Sequence, residues 1–161
     1  MQSSNSDQDL ANVYQQKTDK QHILDNPDTY IGSIENVTQK MYVYENNSSF
    51  VEIDMNYNPG LFKLFDEGIV NCRDHYIRMQ SKEKSPENEK VTQINITIEN
   101  GEITMLNNGN GIDIEVHPEY KIWIPEMIFG HLRTSTNYDK KQKKITGGKN
   151  GFGFKLVLIW S

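Results

Sequence analysis

LFKLFDEGIVNCRDHYIRM, residues 61–79, is the clearest helical stretch of the chain. At about 100° per residue, Glu67, Asn71, Asp74 and Arg78 fall within roughly 60° of one another. Phe62, Phe65, Ile69, Cys72, Tyr76 and Met79 take the opposite side. Glu67 and Asn71, four residues apart, point the same way and can meet one ligand. The first offers a carboxylate able to polarise a water, the second a neutral amide oxygen suited to a hard cation. As a bare pattern the stripe also fits a solvated polar face. Gly68, a poor helix former beside it, tells against that reading and asks for a close neighbour.

Working upstream, Asn58-Pro59-Gly60 reads as a break. Met41–Glu45 and Phe50–Tyr57 alternate with period two and form a hairpin across residues 46–49. DKQHILDNPDTYIG, residues 19–32, predicts a short helix halted before Pro27 and then a turn. Residues 1–20 are polar and aperiodic, and read as a flexible N-terminal arm. Downstream, the charged loop SKEKSPENEK (81–90) ends the helix. Gln93–Glu99 and Glu102–Leu106 then pair across Asn100-Gly101, a two-residue turn with strong hairpin chemistry. Ile122–Phe129 is apolar and helical after Pro125, and residues 131–149 read as a polar, basic loop. The pattern is α+β: a two-layer sandwich with helices on one face of a mostly antiparallel sheet.

Composition narrows the classes. At 161 residues there is room for one domain, and 35% hydrophobic with 24% charged residues is ordinary for a globular fold. A net charge of −5 argues against an intrinsic DNA-binding surface. The single cysteine, Cys72, excludes a disulfide framework and points to a reducing compartment. It lies on the apolar side of the helix and reads as core. No apolar run reaches the length of a membrane span, and the polar N-terminus has no secretory core, so no membrane partner and no secretion are expected. His22, His75, His117 and His131 have no metal-ligand spacing, and the sequence assigns them no role.

Two further motifs carry chemistry. LNNGNGI, residues 106–112, leaves a strand with Gly109 and Gly111 two apart, which allows a sharp turn and close backbone approach to a ligand. Asn107 at the strand end can offer its amide to a base edge; an unremarkable turn is the competing reading. TGGKNGFGFK, residues 146–155, combines four glycines with Lys149 and Lys155 and opens into LVLIW. Backbone N–H groups and a helix N-terminus bind anions, and lysine adds a point charge. This is neither the P-loop, since no Ser or Thr follows Gly-Lys, nor the dinucleotide fingerprint, since Leu156 stands where its last glycine belongs.

Read in order, these residues resemble the ATP-binding (Bergerat) fold shared by DNA gyrase, the Hsp90 chaperones, histidine kinases and MutL. That fold uses a helical Glu-x-x-x-Asn, a turn with Asp/Asn-x-Gly-x-Gly, and a glycine-rich lid ending in Lys. HILDNPDTYIGSIE (22–35) and KIWIPEMIFGHLRTSTNYD (121–139), running into ITGGKNGFG, resemble the N-terminal part of eukaryotic and large-virus type II DNA topoisomerases. Asn107, where gyrase has aspartate, fits the same branch.

The resemblance implies one ATP-binding domain over residues 21–161 that is incomplete at its C-terminus, with ATP and Mg2+ as cofactors. It makes Glu67 the catalytic base, Asn71 the Mg2+ ligand and Asn107 the adenine contact in the Asn107–Gly111 turn, with Gly109 and Gly111. Ser135, Thr136 and Asn137 meet ribose and phosphate. Gly148, Lys149, Asn150, Gly151, Phe152, Gly153, Phe154 and Lys155 wrap the phosphates, with Lys155 in direct contact. Partners implied are a second copy, through a homodimeric ATPase gate with exchange of the Tyr14 arm, and duplex DNA through the rest of the enzyme. The location implied is nucleus or cytoplasm, including a viral factory or virion. The alternative is a truncated, non-catalytic nucleotide-binding module. Phe154 stands where the family usually has alanine, and its ring either crowds the phosphates or turns into the core.

Overall fold

The computed structural model describes residue 10 and residues 13–45, 49–80, 86, 89–134 and 151–161. Helix α1 (Asp19–Asp25) starts at a complete capping box, in which Thr18 and Gln21 satisfy each other's backbone N–H groups. Pro27, expected only to halt it, instead occupies the first position of a second short helix, α2 (Pro27–Tyr30), where its missing N–H costs nothing.

Strands β1 (Val37–Glu45) and β2 (Ser49–Tyr57) form an antiparallel ladder from Val37↔Tyr57 to Glu45↔Ser49. The long helix α3 runs Pro59–Gln80. The supposed break before it is its cap: Asn58 Oδ1 accepts the Leu61 N–H at 2.9 Å, and Pro59 takes the first helical position. The Asn58 amide also donates to the Ile34 carbonyl, which anchors the foot of the first hairpin to the helix.

Strands β3 (Ile94–Glu99) and β4 (Glu102–Asn107) pair antiparallel. Both residues of their turn, Asn100 (φ 52°) and Gly101 (φ 79°), adopt the left-handed conformation that this hairpin requires. Helix α4 (Ile124–Gly130) has Pro125 in its first turn, and α5 (Gly153–Trp160) closes the chain. The fold is α+β with every described strand pairing antiparallel. Among the described residues the strands make two separate two-stranded sheets rather than one continuous sheet.

Helix α3 is the centre of the arrangement, packed against α5 on one flank and β4 on the other. Its buried arc is consequently rotated from the amphipathic expectation. Gly68, Cys72, Asp74 and Met79 are buried, while Phe62 and Tyr76, read as packed, are exposed. Gly68 lies on this arc, where a Cβ would stand 2.6 Å from Met105 Sδ of β4. A second cluster joins Ile23, Ile31 and Leu156 with Tyr30, Leu64, Phe152 and Trp160, tying α1, α2, α3 and α5 together. No described helix is long and apolar enough to cross a membrane.

Candidate nucleotide site

The first half of α3 carries the acid. Lys63 Nζ grips Glu67 Oε1 at 2.8 Å one turn away and reaches Asp66 at 3.5 Å. The pairing raises the lysine pKa, the hydrogen bond to Glu67 contributing most. The Glu67 side chain is 20% exposed, enough to meet water while held in place. Across from it lies the end of the glycine-rich segment. A Cβ on Gly153 would come within 2.8 Å of Glu67 Oε2, so the start of α5 sits directly against this carboxylate. Two motifs 86 residues apart, at positions 67 and 153, thus meet.

One turn along, the exposed Asn71 donates its amide N–H to the Glu67 carbonyl, which leaves Oδ1, the atom a hard cation takes, as its outward group. Among the described residues no three His, Cys, Asp or Glu side chains could hold a metal ion together. The outward Asn71 oxygen is a neutral donor of the kind that, together with phosphate oxygens, suits Mg2+.

The second half of α3 meets the asparagine turn. Asn107 Nδ2 lies 2.9 Å from His75 Nδ1 and donates to the Asn108 carbonyl at 2.9 Å. His75 Nε2 lies 2.9 Å from Asn110 Oδ1. Asn108 Oδ1 accepts the backbone N–H groups of Thr92 and Gln93, both at 2.9 Å, which pins the turn to the strand before it. Gly109 (φ 103°) fits with its hydrogen facing Val91 and the Glu89 carbonyl, where a Cβ would stand at 2.9 and 3.0 Å. Around Gly111 there is open space. His75 was invisible to sequence reasoning, because its partners lie 32 and 35 residues away. The only hint is its place four residues beyond Asn71.

Lys155 is 6% exposed, and its ammonium donates to the carbonyls of Thr134 (2.9 Å) and Gly151 (2.8 Å). Burial lowers its pKa. In this conformation it clamps the two ends of the segment 134–151 rather than facing the acid. A cleft of about 320 Å³ lined by Asp19, Lys20, His131 and Lys155 lies beside it, and it includes none of Glu67, Asn71 or Asn107. The acid and the asparagine turn, each held in a defined geometry, lie outside this cleft. Phe154 does not turn into the core: exposed, it rests edge-on against Phe129 with ring centres 6.0 Å apart. Phe152 packs on Tyr30. Tyr14 is exposed. Ser135, Thr136, Asn137, Gly148, Lys149 and Asn150 lie outside the described residues.

No family model matches the chain. Individual relatives do. A DNA topoisomerase 2 from Penicillium chrysogenum is 46% identical over 163 residues, spanning 99% of this chain and 10% of the relative. The DNA topoisomerase 2 of Acanthamoeba polyphaga mimivirus is 43% identical over 164 residues, with 99% and 12% covered. The fold agrees: the crystal structure of the ATPase region of Saccharomyces cerevisiae topoisomerase II superposes with a TM-score of 0.77 at 44% identity, over 91% of this chain and 37% of that one.

The chain belongs to the type II DNA topoisomerase ATPase-region family. It spans about a tenth of the curated topoisomerases it matches. The ATPase and transducer domains of the Balamuthia mandrillaris topoisomerase II give a TM-score of 0.78 at 40% identity, with 91% of this chain and 36% of that one covered. For a topoisomerase ATPase region, the donor set fits a magnesium nucleotide: a held carboxylate, an outward amide oxygen one turn along, and Gly153 set directly against the carboxylate.

Proposed function

We propose that this chain is the ATP-binding and ATP-hydrolysing segment of a type II DNA topoisomerase. The meeting of Glu67 with Gly153 is the observation that carries the reading, because it sets an activatable carboxylate against the end of a phosphate-type glycine segment. Phosphoryl transfer needs chiefly positioning and charge stabilisation. Glu67, steadied by Lys63, orients the attacking water and takes its proton. Asn71 supplies the protein oxygen to Mg2+, which neutralises phosphate charge when bound. Asn107 meets the adenine, and residues 148–155 wrap the phosphates. Lys155 gives its ammonium to the phosphates in exchange for the carbonyls it now holds, so nucleotide binding and closure of the segment become one event.

Within a longer enzyme, that closure brings two copies together, with the Tyr14 arm crossing to the partner. ATP turnover then drives one DNA duplex through a transient break in another. The second reading, a non-catalytic nucleotide-binding module, has in its favour the engagement of Lys155 on backbone carbonyls.

Equilibrium binding of a non-hydrolysable ATP analogue tests the site. Saturable, Mg2+-dependent binding is expected, weakened at least ~10-fold by Asn71→Ala. A folded chain that binds no analogue refutes the reading. Phosphate release separates the two alternatives: Glu67→Gln should slow it by about 100-fold with analogue binding retained. Binding without any release to slow would favour the non-catalytic module.

A further inference from the structure

The hydrogen bonds around Asn107 leave no freedom in how its amide is oriented. The Asn108 carbonyl, 2.9 Å away, can only accept, so the group facing it is the NH2. The same nitrogen faces His75 Nδ1 at 2.9 Å, and a donor there requires Nδ1 to accept. The imidazole is then neutral with its proton on Nε2, and that proton points at Asn110 Oδ1, an acceptor, at 2.9 Å. The relay is consistent at every link: Asn107 donates to His75, and His75 donates to Asn110. Both amide hydrogens of Asn107 are engaged inside the protein, and what remains for a ligand is Oδ1, a pure acceptor.

An acceptor distinguishes purines at the six-position. Adenine presents an amino donor there and guanine an oxygen acceptor. We propose that His75, as its neutral Nε2–H tautomer, holds the Asn107 oxygen toward the base and thereby makes the asparagine turn select adenine over guanine nucleotides. The inference rests on the nucleotide-site reading above and adds to it a specificity-determining residue. His75 touches no nucleotide in this role; it is a positioning residue acting through Asn107. The polarity matters more than the contact. A residue donating to Asn107 from the position of Nδ1 would face the NH2 with another donor, and the amide would have to choose between that residue and the Asn108 carbonyl.

Two measurements test this. Long-range proton–nitrogen correlation NMR on the ¹⁵N-labelled chain, without nucleotide, should show His75 in the Nε2–H form. The Nδ1–H form or an imidazolium at neutral pH overturns the proposal. Binding of non-hydrolysable ATP and GTP analogues then reads the specificity. The unmodified chain should favour the ATP analogue by ~10-fold or more. His75→Phe, which keeps a ring but neither nitrogen, should reduce that ratio to within about threefold, and His75→Asn, which restores an acceptor, should recover most of it. A histidine that merely supports the turn would weaken both analogues alike in His75→Phe and leave the ratio unchanged, which overturns the proposal. The failures are distinguishable: no binding of either analogue removes the nucleotide-site reading, whereas binding without a base preference removes only the role of His75.

Discussion

In the first half of α3, Lys63 holds Glu67 by an ion pair across one turn; in the second half, His75 joins Asn107 and Asn110 through hydrogen bonds between neutral groups. The two halves of one helix are held by different means, and under the nucleotide reading proposed above the difference follows from what each would recognise. A triphosphate and its attacking water call for charge that is held but still solvated. A base edge calls for an acceptor or a donor of fixed polarity, which a mobile charge would blur. The Glu67 side chain keeps 20% of its surface exposed, while the Asn107–Asn110 turn is held by a set of backbone and side-chain hydrogen bonds.

The largest break in this comparison should come from Gly109→Ala. Its φ of 103° and the approach of Val91 and the Glu89 carbonyl leave no room for a Cβ, and a backbone carbonyl cannot step aside as a side-chain tip can. We expect a loss of about 1–3 kcal/mol, read as a lower urea midpoint. An unchanged midpoint would show that the turn is free to relax, and that the base end is less rigid than its hydrogen bonds imply.

Lys63→Met should act at the other end with a different signature. The pair is partly exposed, so folding stability should change by less than about 1 kcal/mol. Loss of the lysine frees the carboxylate, and ATP turnover should fall by roughly tenfold because positioning is lost rather than the base itself. Raising salt should mimic the substitution in part, since a screening length of about 3 Å at 1 M weakens the ion pair and leaves the His75 relay alone. Salt sensitivity at both ends would erase the distinction.

The smallest effect concerns Lys155. Its folded pKa lies below the ordinary lysine value of 10.5, because burial disfavours the ammonium. From that lowered pKa up to 10.5 the unfolded chain holds more of the proton than the folded one, so this group makes stability rise with pH across that window. Lys63, with its raised pKa, acts oppositely: its contribution is full below 10.5 and is lost as pH climbs through its folded pKa. Lys155→Met should flatten the rise between the lowered value and 10.5, measured as thermal midpoint against pH. A rise that persists in Lys155→Met would place its origin elsewhere.

Features set by neighbouring residues were legible in the sequence. The Asn100-Gly101 turn announces itself because left-handed backbone has a short menu of residues, and the first hairpin announces itself by its period-two alternation. Asn58-Pro59-Gly60 was misread for the same local reason: the residues that stop a chain in a turn are those that start a helix. What the sequence concealed depends on distance. The rotated buried arc of α3 needs the knowledge that β4 and α5 both flank it, the His75 relay needs a turn more than thirty residues away, and the carbonyls that hold Lys155 belong to Thr134 and Gly151. Glu67 and Asn71 were readable as a pair, since four residues on a helix is a local relation; the glycine that faces the acid was readable only as part of a motif.

The cluster of Ile23, Ile31 and Leu156 has a mechanical consequence. Leu156 sits three residues beyond the glycine that rests on Glu67, and the same short helix is bolted by apolar contact to the two helices at the start of the described chain. α1 and α5 therefore draw on one apolar core, and a substitution that loosens one should loosen the other. The amides of Ile23 and Leu156 should exchange with solvent as one cooperative unit, so the first helix and the last open together or not at all.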